Sequence, residues 1–312
     1  ERCIQFGRCV RFQHEVVDDP VIGFHNRGRA LEIITMSEPG FDSIFSGNTS
    51  DICPVGALTT ADFRFGARPW ELKPAASICN HCPVGCNLVY NVRREARAGG
   101  GAVIKRVLPR QNESVNEIWI CDKGRLGYHY AESAARLTQP LLRKDGKLTP
   151  VTWDEALDQA ARKLKEANSV LGLAGGMLAN EDLFNLRRLI EGMGGKLLLH
   201  SYMAGGEFTL SHGLASGSNL GELGKGSVIV VAASDLHEEA PIWWLRVKQA
   251  AKRGARLVVI HARPTRLDAY ASQVIRCAYG EEAQKLAGLL PELGELENLV
   301  VFFGAEGQSL AG

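Results

Sequence analysis

Seven of the chain's eight cysteines fall within its first 121 residues, and only Cys277 lies beyond them. This asymmetry constrains the fold more than any other feature. A small secreted domain stapled by disulfides is cysteine-dense throughout. Here most of the 312 residues form a cysteine-poor pattern of alternating strands and helices. Thiols gathered at one end of an otherwise ordinary chain point to metal ligation in a reducing compartment. Bulk composition removes other classes. Hydrophobic residues make up 45 % and charged residues 23 %, the profile of a globular chain with real cores. A net charge of +1 gives no reason to expect nucleic acid or an anionic membrane as partner. The longest apolar runs, "SVIVVAA" and "RLVVIHA", have the length of buried strands, well short of the roughly 20 residues of a membrane span. Neither direct membrane insertion nor a secretory signal is expected.

The cysteines form two sets. Cys79, Cys82 and Cys86 in "CNHCPVGC" make a C-x2-C-x3-C run, and Cys121 follows in "IWICDKGRLG". Four thiolates, three from a tight loop and one distant, satisfy either a [4Fe–4S] cluster or a single zinc. The uneven gaps favour the larger cluster. Pro83, Gly85 and Gly124 suit a loop whose amides approach inorganic sulfides. His81 lies inside the loop and is expected on its solvent side, because four cysteines already complete the site. Lys123 and Arg125 follow Cys121 directly. They are either plain surface charges or positive charge beside a cluster that is anionic when reduced.

The second set is Cys3 and Cys9 in "ERCIQFGRCVRF", with Cys53 in "DICPVGAL". A cysteine followed by proline, remote from a compact run, closes ferredoxin-type clusters. Phe6 stands where a third cysteine would complete C-x2-C-x2-C. Three readings stay open: a [3Fe–4S] cluster, a [4Fe–4S] cluster with a non-protein fourth ligand, or a vestigial site that Phe6 fills.

The organisation is three-part: a loop-rich segment over 1–72, a cysteine-run segment with a Gly-rich hairpin over 73–130, and an α/β region over 131–312. In the third, Thr152 and Glu155 of "TWDE" form a capping box before an amphipathic helix. "VLGLAGG" and "KLLLHS" read as strands around a helix capped by Asn180. "SVIVVAASD" reads as a strand ending at Asp235, followed by a helix that opens at Pro241 and stops at Gly254. The alternation predicts a doubly wound parallel sheet covered on both faces. The ends of the chain read as cut, so a fragment of something longer is expected.

Other residues invite functional readings and have plainer ones. "GLASGSNLG" (213–221) lacks the lysine of a phosphate loop. Asp235, His237 and Glu238 fit helix capping better than catalysis. Trp243 and Trp244 suit helix packing, and Cys277 a buried structural thiol near a strand end.

Taken with "SGNTSDICPVGALT", "FRFGARPWEL", "VNEIWICDKGRLGY" and "SDLHEEAPIWWLRVKQAAKRGARLVV", the motifs resemble the large iron–sulfur subunit of respiratory complex I, the 75-kDa type of NADH–quinone oxidoreductase. The likeness runs from residue 1 to at least 282. A preceding ferredoxin-like domain of that family, with its [2Fe–2S] and His-ligated [4Fe–4S] centres, is not in this sequence. The resemblance implies that Cys3, Cys9 and Cys53 match three of four ligands of a main-path [4Fe–4S] centre, with Phe6 at the fourth position. Cys79, Cys82, Cys86 and Cys121 match an additional [4Fe–4S] centre of some bacterial members, inherited from molybdopterin-dependent oxidoreductases. In those relatives the residue matching Lys123 lies between cluster and pterin. Molybdopterin itself is not expected, because no cysteine occurs between 122 and 276; Ser201 and Ser211 are weak substitutes.

The implied function is electron relay from the NADH/FMN side towards quinone, in a proton-translocating complex and without a substrate site in this chain. The implied partners are the flavin/NADH-binding subunit and the quinone-side iron–sulfur subunits. The implied location is peripheral, on the cytoplasmic side of the bacterial inner membrane. The rival readings are a molybdopterin enzyme of the formate dehydrogenase class and a structural zinc scaffold.

Overall fold

The computed structural model describes residues 2–38, 40–175, 178–200, 219–293 and 298–304. Ser201, Ser211 and most of "GLASGSNLG" lie outside the described residues. Two compact units emerge: one joins residues 1–128 with 202–312, and the other is 129–201.

The larger unit begins with the one-turn helix α1 (Arg8–Arg11), which runs into a π-helical turn over Phe12–Val17. An antiparallel pair follows, β1 (Ile22–His25) and β2 (Glu32–Thr35). Helix α2 (Ser46–Ile52) ends at Cys53. Three antiparallel strands come next, β3 (Lys73–Ile78), β4 (Asn87–Arg94) and β5 (Ala102–Pro109), in the order β3-β4-β5. The expected hairpin is β4–β5, and Gly99 and Gly100 turn it with φ of +60° and +80°. Helix α3 (Asp122–Leu126) starts immediately after Cys121.

The smaller unit holds the hairpin β6 (Leu141–Lys144) and β7 (Lys147–Pro150), helix α4 (Trp153–Glu166), and β8 (Leu171–Gly175), α5 (Asn180–Gly192) and β9 (Lys196–His200). β8 and β9 pair in parallel as a sheet of their own. Thr152 caps α4, accepting from the Glu155 amide at 3.2 Å. Glu155 turns its carboxylate to Lys144 at 2.7 Å. The cap of α5 falls on Ala179, so Asn180 is the first helical residue rather than the cap.

The rest of the larger unit is the parallel sheet. It comprises β10 (Ser227–Ala232), the short helix α6 (Leu236–Glu239), helix α7 (Pro241–Lys252), β11 (Arg256–Ile260), β12 (Gln273–Ile275), helix α8 (Glu282–Leu293) and β13 (Asn298–Phe303). Its order is β12-β11-β10-β13, parallel throughout. Every residue of β10 is buried, as a strand covered on both faces requires. Val228, Val230, Val258 and Ile260 pack on Leu289 and Leu293 of α8. Ile229, Val231, Leu257 and Val259 point the other way, into a core shared with Trp244, Leu245 and Val247 of α7. That second core continues through Phe12, Phe45 and Ile120 to Cys79, Cys86 and Cys121.

Pro241 opens α7, and Gly254 closes it at φ +93°, as the sequence predicts. Strand β10 stops at Ala232, short of the expected Asp235. Asp235 instead caps α6, its carboxylate accepting from the His237 amide at 3.2 Å. Trp244 is buried and Trp243 half-buried against Phe302, with ring centroids 5.3 Å apart. Cys277 is half-buried beyond β12, against the α8 face of the sheet.

Candidate metal centres

Cys79 immediately follows strand β3, and Cys86 immediately precedes β4. The two are tied by the Cys79 amide donating to the Cys86 carbonyl at 2.8 Å. The chain between them must turn tightly, and Gly85 does so at φ +64°. This folds Cys79, Cys82 and Cys86 around one chamber that Cys121 also lines. Amides supply dipoles: those of His81, Val84 and Gly124 reach Cys79, Cys82 and Cys121. Gly124 lets the backbone of α3 come close to the sulfurs: a Cβ there would lie 3.3 Å from Cys79 Sγ, a tight contact, and 3.9 Å from Cys121 Sγ. Glu239, the last residue of α6, and Pro241 and Ile242, the first two of α7, close the chamber from the sheet side.

Burial raises all four thiols, and for Cys86 repulsion from Cys121, Cys82 and Cys79 adds to it. Cys121 is pushed up to about 11. Lys123 lines the same chamber, and its charge favours the thiolates of Cys79 and Cys82. Three buried thiols and a fourth, half-buried one, Cys82, form the donor set of a thiolate-ligated metal centre, whose positive charge offsets the cost of deprotonation. Among the described residues, no three His, Cys, Asp or Glu side chains gather closely enough for a single ion. Four thiols lining one small chamber satisfy either a [4Fe–4S] cluster or a single zinc. His81 departs from expectation. Its ring lines the chamber and packs over Gly127, where a Cβ would fall 2.4 Å from Nε2, so it is half-buried rather than on the solvent side.

Cys3, Cys9, Cys53 and Phe6 all line a second, more open cavity of about 1080 Å³. Cys9 is buried in α1 and Cys3 is exposed, accepting from the Gln5 amide at 3.4 Å. Burial raises the Cys9 thiol, and the neighbouring Cys3 and Cys53 raise it further, so the three thiols act on one another. Cys53 behaves differently. Burial alone would raise it, but the amides of Leu58, Val55, Ala57 and Gly56 outweigh that and hold the thiol below its ordinary value. This ring of amides after Cys53 is a ready anion cradle. The Phe6 ring sits at the cavity with the Arg8 guanidinium 5.4 Å from its centroid.

The structure thus brings each cysteine set together and keeps the two in separate cavities. The roof of the first chamber and the side chains behind Cys53 and Cys121 had no local signal in the sequence. Asp235, His237 and Glu238 belong to the capping of α6. Asp235 also accepts from Arg263 at 2.8 Å, and His237 packs edge-on to Trp244.

Two cysteine-lined cavities ahead of a doubly wound parallel sheet define a thiolate-ligated metalloprotein on an α/β scaffold. Three family models match in chain order. They are the NADH-quinone oxidoreductase subunit 3 ferredoxin-like domain over residues 1–59, the NADH-ubiquinone oxidoreductase NDSU1/NuoG-like 4Fe-4S domain over 73–129, and molybdopterin oxidoreductase over 136–286. The NADH-quinone oxidoreductase G subunit of Streptomyces coelicolor is 34 % identical over 94 % of this chain and 37 % of its own length. The mitochondrial 78 kDa subunit of NADH-ubiquinone oxidoreductase from Neurospora crassa is 38 % identical over 75 % of this chain and 31 % of its own. Acetylene hydratase from Pelobacter acetylenicus superposes with a TM-score of 0.50 at 22 % identity, covering 70 % of this chain and 32 % of that one, a likeness of fold alone. The chain belongs to the family of NADH–quinone oxidoreductase large iron–sulfur subunits, and it spans about a third of the length of these curated relatives. Among the described residues no helix is long and apolar enough to cross a membrane.

Proposed function

We propose that this chain is the electron-relaying segment of a complex I large iron–sulfur subunit, passing electrons from the NADH/FMN side towards quinone. In this reading Cys79, Cys82, Cys86 and Cys121 hold a [4Fe–4S] cluster. Cys3, Cys9 and Cys53 are an incomplete second site, with Phe6 in the fourth place. The cluster supplies one-electron redox chemistry when bound. The protein's part is to hold and insulate. The four thiols fix position, the amides of His81, Val84 and Gly124 favour the anionic sulfurs, and Lys123 favours added negative charge. Helix α7 keeps water out.

The observation that carries the reading is the one chamber lined by all four thiols, three of them buried, with the first turn of the parallel sheet's own helix α7 against it. No substrate site is assigned to this chain. The proposed partners are the flavin/NADH-binding subunit and the quinone-side iron–sulfur subunits of a proton-translocating complex, on the cytoplasmic side of the inner membrane. Iron and sulfide quantification with low-temperature EPR tests it. A reduced [4Fe–4S] signal that Cys86→Ser abolishes is expected. Stoichiometric zinc and no signal after reduction would replace it with the structural-zinc reading.

A further inference from the structure

Helix α3 carries two cations, Lys123 and Arg125, and the structure sends them to different cysteine sets. Lys123 lines the chamber of Cys79, Cys82, Cys86 and Cys121. Arg125 leaves on the other side. Only 4 % exposed, it forms part of the wall of the cavity lined by Cys3, Cys9 and Cys53. Its Nη2 donates to Asp51 Oδ2 at 2.5 Å and Asn48 Oδ1 at 3.3 Å, and Nη1 to the Val107 carbonyl at 3.5 Å. Asp51 and Asn48 belong to α2, the helix that ends at Cys53.

The path of this side chain is built into the sequence. A Cβ at Gly47 would fall 2.3 Å from both Cδ and Nε of Arg125, so only glycine lets the arginine cross α2. Asp122 fastens the other end. Its Oδ1 accepts from the Gly47 amide at 2.8 Å and its Oδ2 from the Ser46 hydroxyl at 2.5 Å. Asn48 Nδ2 donates to the Ile120 carbonyl at 2.8 Å, just before Cys121. The helix leading into Cys53 and the helix leading out of Cys121 are therefore fastened to each other at four residues.

We propose that Arg125 is the positioning residue and fixed positive charge of the Cys3–Cys9–Cys53 site, supplied by the helix that opens at the other site's last cysteine. This rests on reading both sets as iron–sulfur sites. A guanidinium stays charged when buried, and water screens it little there. One electron from a titrant such as dithionite adds one negative charge to a cluster. A nearby cation favours that step, and an uncompensated carboxylate opposes it. Arg125 and Asp51 are neighbours of opposite charge, so removing each should move the potential of this site in opposite directions. A merely structural brace predicts no such sign reversal.

The test is redox-titrated EPR with iron quantification on the full chain, reconstituted without oxygen, in the wild-type and Phe6→Cys backgrounds. Arg125→Gln should lower the midpoint of the Cys3–Cys9–Cys53 centre and leave the Cys79 centre unmoved. Arg125→Lys should restore part of the shift, and Asp51→Asn should raise the midpoint. Gly47→Ala, which displaces the side chain, should act like Arg125→Gln. Lys123→Gln should shift only the Cys79 centre. If Arg125→Gln does not fold, the Arg125→Lys and Asp51→Asn arms still decide. Equal shifts at both centres, shifts of the same sign for Arg125→Gln and Asp51→Asn, or no shift would overturn the assignment. Irons held only by the Cys79 set in both backgrounds would also overturn it, while leaving the electron-relay reading intact. Failure of both sets to bind iron would overturn that reading as well.

Discussion

The two cysteine sites solve the same problem with opposite resources. The Cys79 set has four thiols in a closed chamber, and burial dominates it, so its thiols resist ionising until a metal centre arrives. The Cys3 set has three thiols in an open cavity, and at Cys53 backbone amides outweigh burial. The first is a site of enclosure and the second a site of dipoles and charges. Enclosure makes a centre durable, whereas open dipoles leave its composition to whatever the fourth position supplies. Phe6 supplies nothing that can bind iron.

The sharpest way to break this contrast is Cys86→Ser, which should remove about four irons per chain and the EPR signal of the enclosed centre. If the Cys3 set kept its own iron after that change, the sites would be independent in loading. Phe6→Cys should work in the other direction, completing the open site and raising iron content to about eight per chain with a second four-iron signal. An unchanged spectrum would mean that Phe6 is not the missing ligand position.

Trp244→Ala, in the core that seals the enclosed chamber, should cost about 3–5 kcal/mol in chemical denaturation and weaken iron retention at the Cys79 set more than at the Cys3 set. Equal loss at both would show that enclosure is not what separates them.

The thiols themselves give a subtler test in the iron-free chain. Alkylation needs the thiolate, so Cys53 should react at lower pH than Cys121, with mass spectrometry reading the order. Because the folded-state value of Cys121 is raised, its contribution to stability is intact below the ordinary 9.0 and is lost as pH climbs through about 11. The iron-free chain should therefore lose stability over that window, as followed by thermal unfolding. Thr152→Ala, in the other unit, should cost only about 1 kcal/mol and disturb neither centre.

What the sequence made legible followed from local rules. Cysteine spacing located the enclosed site, and period and punctuation located β10, α7 and Gly254. Pairing Cys53 with Cys3 and Cys9 needed the Cys-Pro signature and a family likeness, because their separation carries no periodicity. The direction of Arg125 was not legible. Two residues from Lys123 on one short helix, it read as a companion of the same cysteines. Only the bare Cα of Gly47, distant in sequence, sends it elsewhere. His81 failed for a similar reason: Gly127, far along the chain, makes the space that draws its ring inward. The parallel sheet was foreseen, but β8 and β9 pair apart from β10–β13. Strand–helix–strand spacing says that two strands are parallel neighbours, not which larger sheet they join.

The seal over the enclosed chamber also sets a timetable. Cys121 is made more than a hundred residues before Glu239, Pro241 and Ile242, the residues that cover it. At about 5–20 residues per second of synthesis, the four-cysteine loop is complete for roughly 5–25 s before its cover exists. A chain that finishes folding without its metal has Pro241 and Ile242 already packed at the four-cysteine loop.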